Sequence, residues 1–517
     1  MSKQIKSGQE ARKKLMIGLN AVADAVKVTI GPKGRNAIID RGYEPLIAND
    51  AGSIAKEIIL KDKIENMGAQ MIKSVIQRTS EKVGGGRTAS AILTQALVEE
   101  GLKMSDKGMN MTLIKKGMNL ALKNITENLK NMARPCTTQK ELMQVATIST
   151  ESEELGKVIS EVVYKIGKDG IVTVEESQTT GTTIKFTDGL EFDKGWISPW
   201  MITNPQKMET ELTDVPVLIT DKKISLFKDI FPVIDKIKSA GGHNLFIICE
   251  DMDGEALNQV IVNGLKGVFH TLVVKAPGFG EMKKYCFEDL CAIAGAELQD
   301  SKLGFAKKVI ATKDTCRIIE GGGQTQLHIA TLKAQKEATD SKILKGQLEE
   351  RIAKLSNSVA IIKVGASSES ELKYLKLKIE DGVNEAKRAL EEGIVPGGDV
   401  AFIHARGVNH NIKGEELIGF NIVNKAIEAP LRQIVLNSNG SPDVVINELK
   451  GKDTKSGYNA LTNEIVVEMF KYGIIDAVKV TRTVLENAIS AAAMFLTVEV
   501  AIADEDEPLP TRQPIEY

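Results

Sequence analysis

Along residues 1–131 apolar side chains recur every three or four positions. The stretch "ARKKLMIGLNAVADAVKVTI" sets Leu15, Ile17, Leu19, Val22, Ala25 and Val26 near one stripe, and "IENMGAQMIKSVIQRTSEKV" and "LIKKGMNLALKNITENLKNMA" repeat the pattern. That is the period of helices with one buried face. The character changes near "RPCTTQKELMQVATIST", after which "DGIVTVEESQTTGTTIKFTDGLEFDKGWISPW" predicts strands, being rich in Val, Ile and Thr with turn residues between. From about 188 to 358, strands ("VPVLITD", "NLFIICED", "HTLVVKAPGFG") alternate with helices ("LFKDIFPVIDKIKSAG", "EALNQVIVNGLKG", "CFEDLCAIAG"), the signature of an α/β layer domain. One charged helix, "TLKAQKEATDSKILKGQLEERIAKL", closes this region, and after a strand, "VAIIKVG", the text is helical again. The tail "ADEDEPLPTRQPIEY" is acidic and proline-bearing, predicting a mobile end. Two helical flanks around an inserted middle predict a domain built from both chain ends.

Composition narrows the class. At 517 residues the chain has room for two to four domains, and 42% hydrophobic with 26% charged residues is ordinary for a soluble globular protein. Aromatics are only 4%, so the core must be aliphatic, with 16 Met available to fill it. A net charge of −2 leaves no electrostatic footprint for nucleic acid or a lipid surface. The most apolar segment, "NAISAAAMFLTVEVAIA", is shorter than the roughly 18 to 20 residues a bilayer requires and contains Glu499. The N-terminal stretch has no apolar signal core. A cytoplasmic protein is expected, an organelle matrix staying open if a targeting segment was removed. Five cysteines without a CxxC pair argue against a disulfide framework or zinc site, and the five histidines form no HExxH; His404 and His410 have no ligand-like neighbour.

Candidate chemistry sits in glycine turns. "TIGPKGRN", "NDAGS", "VGGGRTAS" and "VPGGDVA" lie in the helical flanks, and none matches GxxxxGK[ST] or a GxGxxG after a strand. Singly, each reads as a structural turn. The third differs in running straight into a helix (Ala89, Ala91, Ile92, Leu93, Ala96, Leu97), the place where a phosphate usually sits. It offers no acid for a metal and carries Arg87 instead. The loop acids Asp50, Asp381, Asp399 and Asp476 each read as caps or turn residues, and spacing alone does not bring them together.

Taken in order, "DAVKVTIGPKGRN", "ENMGAQMIK", "QVATIST", "VKAPGFG", "VAIIKVGA", "EAPLRQIVLN", "GYNA" and "KVTRTVLENA" resemble the group I chaperonins, the GroEL family, from about residue 3 to 503. The resemblance implies an α+β multidomain fold. Residues 1–131 and 391–517 would form a helical equatorial ATP-binding domain, 132–187 and 359–390 an intermediate hinge, and 188–358 an apical α/β domain. It further implies homo-oligomeric seven-membered rings, commonly stacked in pairs, a cavity capped by a GroES-type co-chaperonin, and unfolded polypeptide as substrate, with no nucleic acid or membrane partner. ATP and Mg would be the cofactors. By this resemblance Thr29, Ile30, Gly31 and Pro32 approach the phosphates with Gly85, Gly86, Arg87, Thr88 and Ala89. Gly398, Asn459, Ala460 and Leu461 line base and ribose, and Asp476 meets the ribose. Asp50 (also a weak metal candidate) and Asp381 orient the attacking water. Trp196, Trp200, Met201, Phe231, Ile234, Leu257, Ile261 and Val262 match the apical groove for polypeptide and co-chaperonin.

The departures cluster at the phosphates. The family's Gly-Asp-Gly-Thr-Thr-Thr loop is here Gly84, Gly85, Gly86, Arg87, Thr88 and Ala89, so the metal-holding aspartate is Gly85. Its Thr-Lys-Asp-Gly is Ala48, Asn49, Asp50 and Ala51; the third glycine of the base loop is Asp399, and the proline after Asp476 is Ala477. Counting the Asp-to-Gly and Thr-to-Arg changes at Gly85 and Arg87 and the Lys-to-Asn change at Asn49 makes the pocket one unit more positive than the family's. The apical domain is shorter around "GAELQDSKLGFAKKVI", and the acidic ending replaces a Gly-Met-rich tail. Two readings follow: an ATP-dependent chaperonin with a slowed cycle, or a hydrolysis-deficient paralogue acting as holdase, scaffold or mixed-ring subunit. Arg87 can hold phosphate without metal; alternatively, neighbouring acids restore the magnesium.

Overall fold

The computed structural model describes residues 3–504 apart from 43, 44, 169, 178, 179, 206, 279, 299–301, 340, 356, 357 and 410. The tail expected to be mobile, from 505 onward, and His410 therefore lie outside the described residues. The chain divides into two compact units, Met1–Lys168 with Lys373–Tyr517, and Asp169–Leu372.

In the first unit the chain ends meet. Strand Lys3–Ser7 pairs antiparallel with Val500–Asp504, Ile5 opposite Ile502, and Lys3 forms an ion pair with Asp504. Beside it Arg12 Nη1 reaches Glu499 Oε2 at 2.7 Å. The main helices are Gly8–Lys27, Lys63–Val83, Arg87–Ser105, Met111–Met132, Gly414–Ala426 and Val478–Leu496. The last packs against Lys63–Val83, Arg87–Ser105 and Met111–Met132, so a C-terminal helix lies among N-terminal ones. As composition demanded, the largest fully buried side chains are mostly aliphatic, among them Leu19, Ile64, Ile72, Leu93, Leu97 and Ile114. In the first helix the buried face is Ala11, Leu15, Gly18, Leu19, Val22, Ala23 and Val26. Ile17, expected in that stripe, is exposed: two residues from Leu15 and one from Gly18, it lies on the far side of a turn of about 3.6 residues.

Two glycines set the closest crossing. A Cβ on Gly18 would lie 1.6 Å from the Glu65 carbonyl oxygen, and one on Gly68 would lie 1.9 Å from that of Leu15. Helices Gly8–Lys27 and Lys63–Val83 thus touch backbone to backbone, in reciprocal fashion.

The second unit is built on an eight-stranded mixed sheet in the order His270–Lys275, Asn244–Cys249, Thr210–Ile219, Gly304–Ala311, Cys316–Gly321, Gly181–Phe192, Ser358–Gly365, Ile171–Glu176. The first three strands run parallel, as do the last two, and the joints between are antiparallel. Residues 245–249 of strand Asn244–Cys249 read as an unbroken apolar run because both faces are covered. Leu245 and Ile247 pack with Ile234, Ile237 and Val260 of helices Phe231–Ser239 and Gly254–Leu265. Phe246 and Ile248 pack with Phe287, Leu290, Ile329 and Leu332 of helices Glu281–Ala294 and Thr325–Ala338. The single charged helix expected over 331–355 is two, Thr325–Ala338 and Lys342–Leu355. The Ser341 hydroxyl accepts from the Leu344 amide at 3.4 Å, restarting the helix as a serine ahead of a first turn does. Among the described residues, no helix is long and apolar enough to cross a membrane.

The reciprocal crossing yields a test by chemical denaturation. Gly68→Ala should cost about 2–3 kcal/mol through overpacking. Gly346→Ala, in helix Lys342–Leu355 with nothing within 4 Å of the added methyl, should instead gain about 0.5–1 kcal/mol.

Candidate functional site

The triple-glycine turn has a separate physical reason for each glycine. Helix Lys63–Val83 stops at Gly84, whose φ is +85° and whose N–H donates to the Ser80 carbonyl at 2.8 Å. A Cβ on Gly84 would sit 2.5 Å from Asn384 Cβ, one on Gly85 1.5 Å from Glu385 Oε1, and one on Gly86 (φ +74°) 2.4 Å from Val484 Cγ2. The turn is therefore pressed between helices Glu369–Glu392 and Val478–Leu496. Helix Arg87–Ser105 then starts with no side-chain cap and no acid in its first turn, leaving its first amides and its positive dipole end for an anion. Thr88 Oγ1 lies 3.4 Å from Thr29 Oγ1, which places the 29–32 turn beside this start. Asn437, which the sequence reading passed over, holds that turn: its Nδ2 donates to the carbonyls of Lys27 (3.1 Å), Val28 (3.3 Å) and Ile30 (2.9 Å). Its only advance signal was its place at the end of "EAPLRQIVLN".

Arg87 gathers the acids that spacing could not. Its Nη1 donates to Asp50 Oδ1 at 2.6 Å, its Nη2 to Asp381 Oδ1 at 2.5 Å, and its Nε to Ser80 Oγ at 2.8 Å. The three charged side chains are 14%, 23% and 18% exposed for Arg87, Asp50 and Asp381. Asp50 is also the expected N-cap, its Oδ2 accepting from the Ser53 amide at 2.7 Å. Burial pushes Asp50 up, yet Arg87 and the Ser53 bonds outweigh it and hold the carboxyl below its ordinary range. At Asp381 burial wins, with Asp50's charge adding to it, and the carboxyl is pushed up to about 7 despite Arg87. One guanidinium serves two acids, and Asp381 takes the proton.

Further acids stand behind. Burial, then Asp476 and Asp381, push Glu385 up to about 8, with Ser149 bonded to it. Glu385 was also missed; its signal is the i,i+4 spacing from Asp381, which puts both on one helix face. Strand Ile394–Pro396 pairs antiparallel with Ile475–Ala477, Val395 opposite Asp476, and this ribbon brings Gly398 and Asp399 to Asp476. The Asp399 amide lies 3.4 Å from Asp476 Oδ2. Asp399 keeps the left-handed φ of +60° that suits the glycine it replaces. Burial and Asp476 push its carboxyl up to about 8, and burial raises Asp476 itself to about 6. Glu385 and Asp399 thus add two further acids beside Asp476, each raised far enough to keep its proton near neutral pH. Asn459 ends strand Gly457–Asn459 and accepts from the Leu461 amide at 3.0 Å; Ala460 shares a core with Val400, and Leu461 is exposed.

Among the described residues no group of three or more His, Cys, Asp or Glu is arranged to hold a metal. Both Asp50 oxygens are engaged, by Arg87 and Ser53. Magnesium, however, usually takes only one or two carboxylates, with substrate phosphates and water completing its shell. A groove of about 770 Å³ lined by Val444, Tyr458, Asn463 and Glu464 includes none of these acids. The five cysteines are free, and burial pushes Cys136 and Cys249 up to about 12, which leaves them inert thiols.

In the second unit the apolar candidates separate. Trp200 (65%) and Phe231 (52%) are exposed, as are Val262, Leu226 and Leu265. Leu257 and Ile261 are half-buried against the core, which Met201 and Ile234 enter fully. Trp196 packs on the other face of the sheet. The turn Pro199–Met201 and the turn Phe227–Asp229 both touch helix Gly254–Leu265, so the exposed side chains border one helix pair.

The profile of the TCP-1/cpn60 chaperonin family matches residues 22–506. Among solved structures, the chain is similar to the chaperonin gp146 from the bacteriophage EL 2 (Pseudomonas aeruginosa), determined in the presence of ATP-BeFx. Crystal form II gives a TM-score of 0.69 at 19% identity over 97% of this chain and 99% of that one. Crystal form I gives 0.63 at 21% over the same shares.

The acid cluster sets a pH dependence. Folded Asp399 keeps its proton to about pH 8, whereas an unfolded aspartate releases it near about 4. Between these values the folded state binds the extra proton, so stability falls as pH rises and is lowest above the window. Asp399→Asn, which tolerates the same φ, should flatten that decline and stabilise the protein at pH 8.5 by about 1–2 kcal/mol in denaturant titrations.

Proposed function

The chain belongs to the TCP-1/cpn60 chaperonin family, and we propose that it works as an ATP-driven folding chaperonin whose cycle is braked by Arg87. Members of the family are ring-forming ATPases that assist protein folding. The observation that carries the reading is the Arg87 fork across Asp50 and Asp381, set at the open start of a helix. An arriving triphosphate offers the guanidinium a stronger partner than either carboxylate, and the helix dipole adds to the attraction. When Arg87 turns to phosphate, Asp50 and Asp381 lose their cation. Asp50, held ionised until then, is the stronger base without its cation and is suited to orienting and deprotonating water. Bound metal would supply charge neutralisation for phosphoryl transfer.

The substrate surface is the exposed set Trp200, Phe231, Val262 and Leu265. An open apolar patch of this kind marks a binding site, and each contact is weak, at about 25 cal/mol per Å². Repetition around a homo-oligomeric ring of seven subunits, stacked in pairs, gives an unfolded chain avidity. A GroES-type partner would compete for the same patch. The second reading, a hydrolysis-deficient holdase, draws on the same fork, since both carboxylates are committed to Arg87.

Release of a denatured enzyme from the purified ring on adding ATP, followed by recovery of its activity, is the expected result. Equal grip with and without ATP would replace this reading with the holdase. Arg87→Thr should weaken ATP binding about tenfold while raising turnover several-fold; a tenfold fall in turnover would show that Arg87 serves the transition state and is no brake. Trp200→Ser with Phe231→Ser should reduce capture of denatured polypeptide at least about tenfold with the melting temperature unchanged, because both side chains are already exposed.

A further inference from the structure

We propose that Glu385 supplies, from helix Glu369–Glu392, the carboxylate that the phosphate loop lacks at Gly85, and that it faces the magnesium of bound Mg–ATP. The inference rests on the nucleotide reading above and deepens it.

The argument begins with space. A Cβ built on Gly85 falls 1.5 Å from Glu385 Oε1, 2.4 Å from its Cδ and 3.0 Å from its Cγ. The carboxylate of residue 385 thus fills the volume in which a side chain at 85 would begin. An acid at 85 and an acid at 385 exclude each other, so the two positions form a reciprocal pair. The next residue back repeats the contact, since a Cβ on Gly84 would fall 2.5 Å from Asn384 Cβ. Two successive helix residues meet two successive loop residues, which fixes the register of the helix on the turn.

Chemistry points the same way. Glu385 is only partly exposed, and its strongest charged neighbours are the acids Asp476 and Asp381. A desolvated carboxylate beside other acids is costly to keep. If position 385 served packing alone, an apolar side chain of similar size would fill the space at lower cost. A cation arriving with nucleotide removes the penalty, and one carboxylate beside phosphate oxygens is the share that magnesium asks of a protein. Among these acids, Glu385 is the one that lies against the loop backbone itself.

The test uses the full-length ring and a non-hydrolysable ATP analogue, adenylyl imidodiphosphate, titrated calorimetrically in Mg²⁺ or in EDTA, with thermal melting alongside. The native protein should bind the analogue at least about tenfold more tightly with Mg²⁺. Glu385→Gln keeps shape and loses charge; it should bring the two affinities within about twofold while melting no lower than the native protein. Gly85→Asp alone should melt well below it. Gly85→Asp with Glu385→Ala should regain both the melting temperature and the Mg²⁺ dependence. A Glu385→Gln protein that keeps the native Mg²⁺ dependence overturns the proposal, as does a Gly85→Asp protein that melts normally. No binding of the analogue to native protein in either buffer would overturn the nucleotide reading, and this proposal with it.

Discussion

A guanidinium shared between two carboxylates organises this molecule's site. Asp50 follows the strand Leu46–Ala48, Asp381 lies near the middle of a long helix that begins more than three hundred residues later, and Arg87 opens a third helix. Removing one partner of a partly buried ion pair is far more costly than never having made it. Once Arg87 stands at the loop, both acids are therefore constrained to stay within its reach. The arrangement is not tuned for stability, because one cation cannot balance two desolvated acids, and Asp381 is pushed up to about 7 as a result. A cluster left short of positive charge is poised to accept more of it, and to release its one guanidinium to a better anion.

The packing around the fork is what that contact demands. For Asp381 to reach Arg87, helix Glu369–Glu392 must come against the turn, and the turn can admit it only with no side chains of its own. Gly84 meets Asn384, Gly85 meets Glu385, and Gly86 meets Val484 on the opposite side. The Gly18 and Gly68 crossing does the same service one layer back, by drawing helix Lys63–Val83, whose end is the start of the turn, onto the first helix. The paired chain ends hold the bundle in which these helices lie.

Much of this was legible in the chain, and what was not has a common cause. Periodicity found the helical flanks and the strands of the second unit, since burial of a face acts on residues three, four or two apart. Resemblance to a family picked out Asp50, Asp381 and Asp476. Ile17 was misplaced because a run of apolar residues does not say which of them turns outward. The charged stretch was read as one helix because Ser341 acts as a restart signal only when its hydroxyl is seen accepting from Leu344. Glu385 and Asn437 were passed over because what matters in them is contact across hundreds of residues, of which spacing carries no trace. The i,i+4 relation of Glu385 to Asp381 was visible, but on a solvated helix face that spacing is commonplace. Only the occupied space at Gly85 gives it meaning.

The pocket's charge follows from that last point. Counted from the loop alone, Asp-to-Gly and Thr-to-Arg changes add positive charge and Lys-to-Asn removes it. Counted in space, Glu385 and Asp399 enter beside Asp476, and ionising both would turn the surplus negative. Burial dominates every one of these shifts, ahead of the neighbouring charges. Glu385 and Asp399 therefore hold protons near neutrality because water is excluded, and pairwise repulsion only reinforces this. Such a pocket relieves its surplus in two ways, by keeping protons or by taking up a cation. Protons suffice while it is empty. A polyphosphate brings further negative charge, which protons on scattered acids answer poorly and a cation held against the loop backbone answers well. On the proposed reading, the acid that answers that cation stands on the facing helix at Glu385, in the space that a side chain at Gly85 would need.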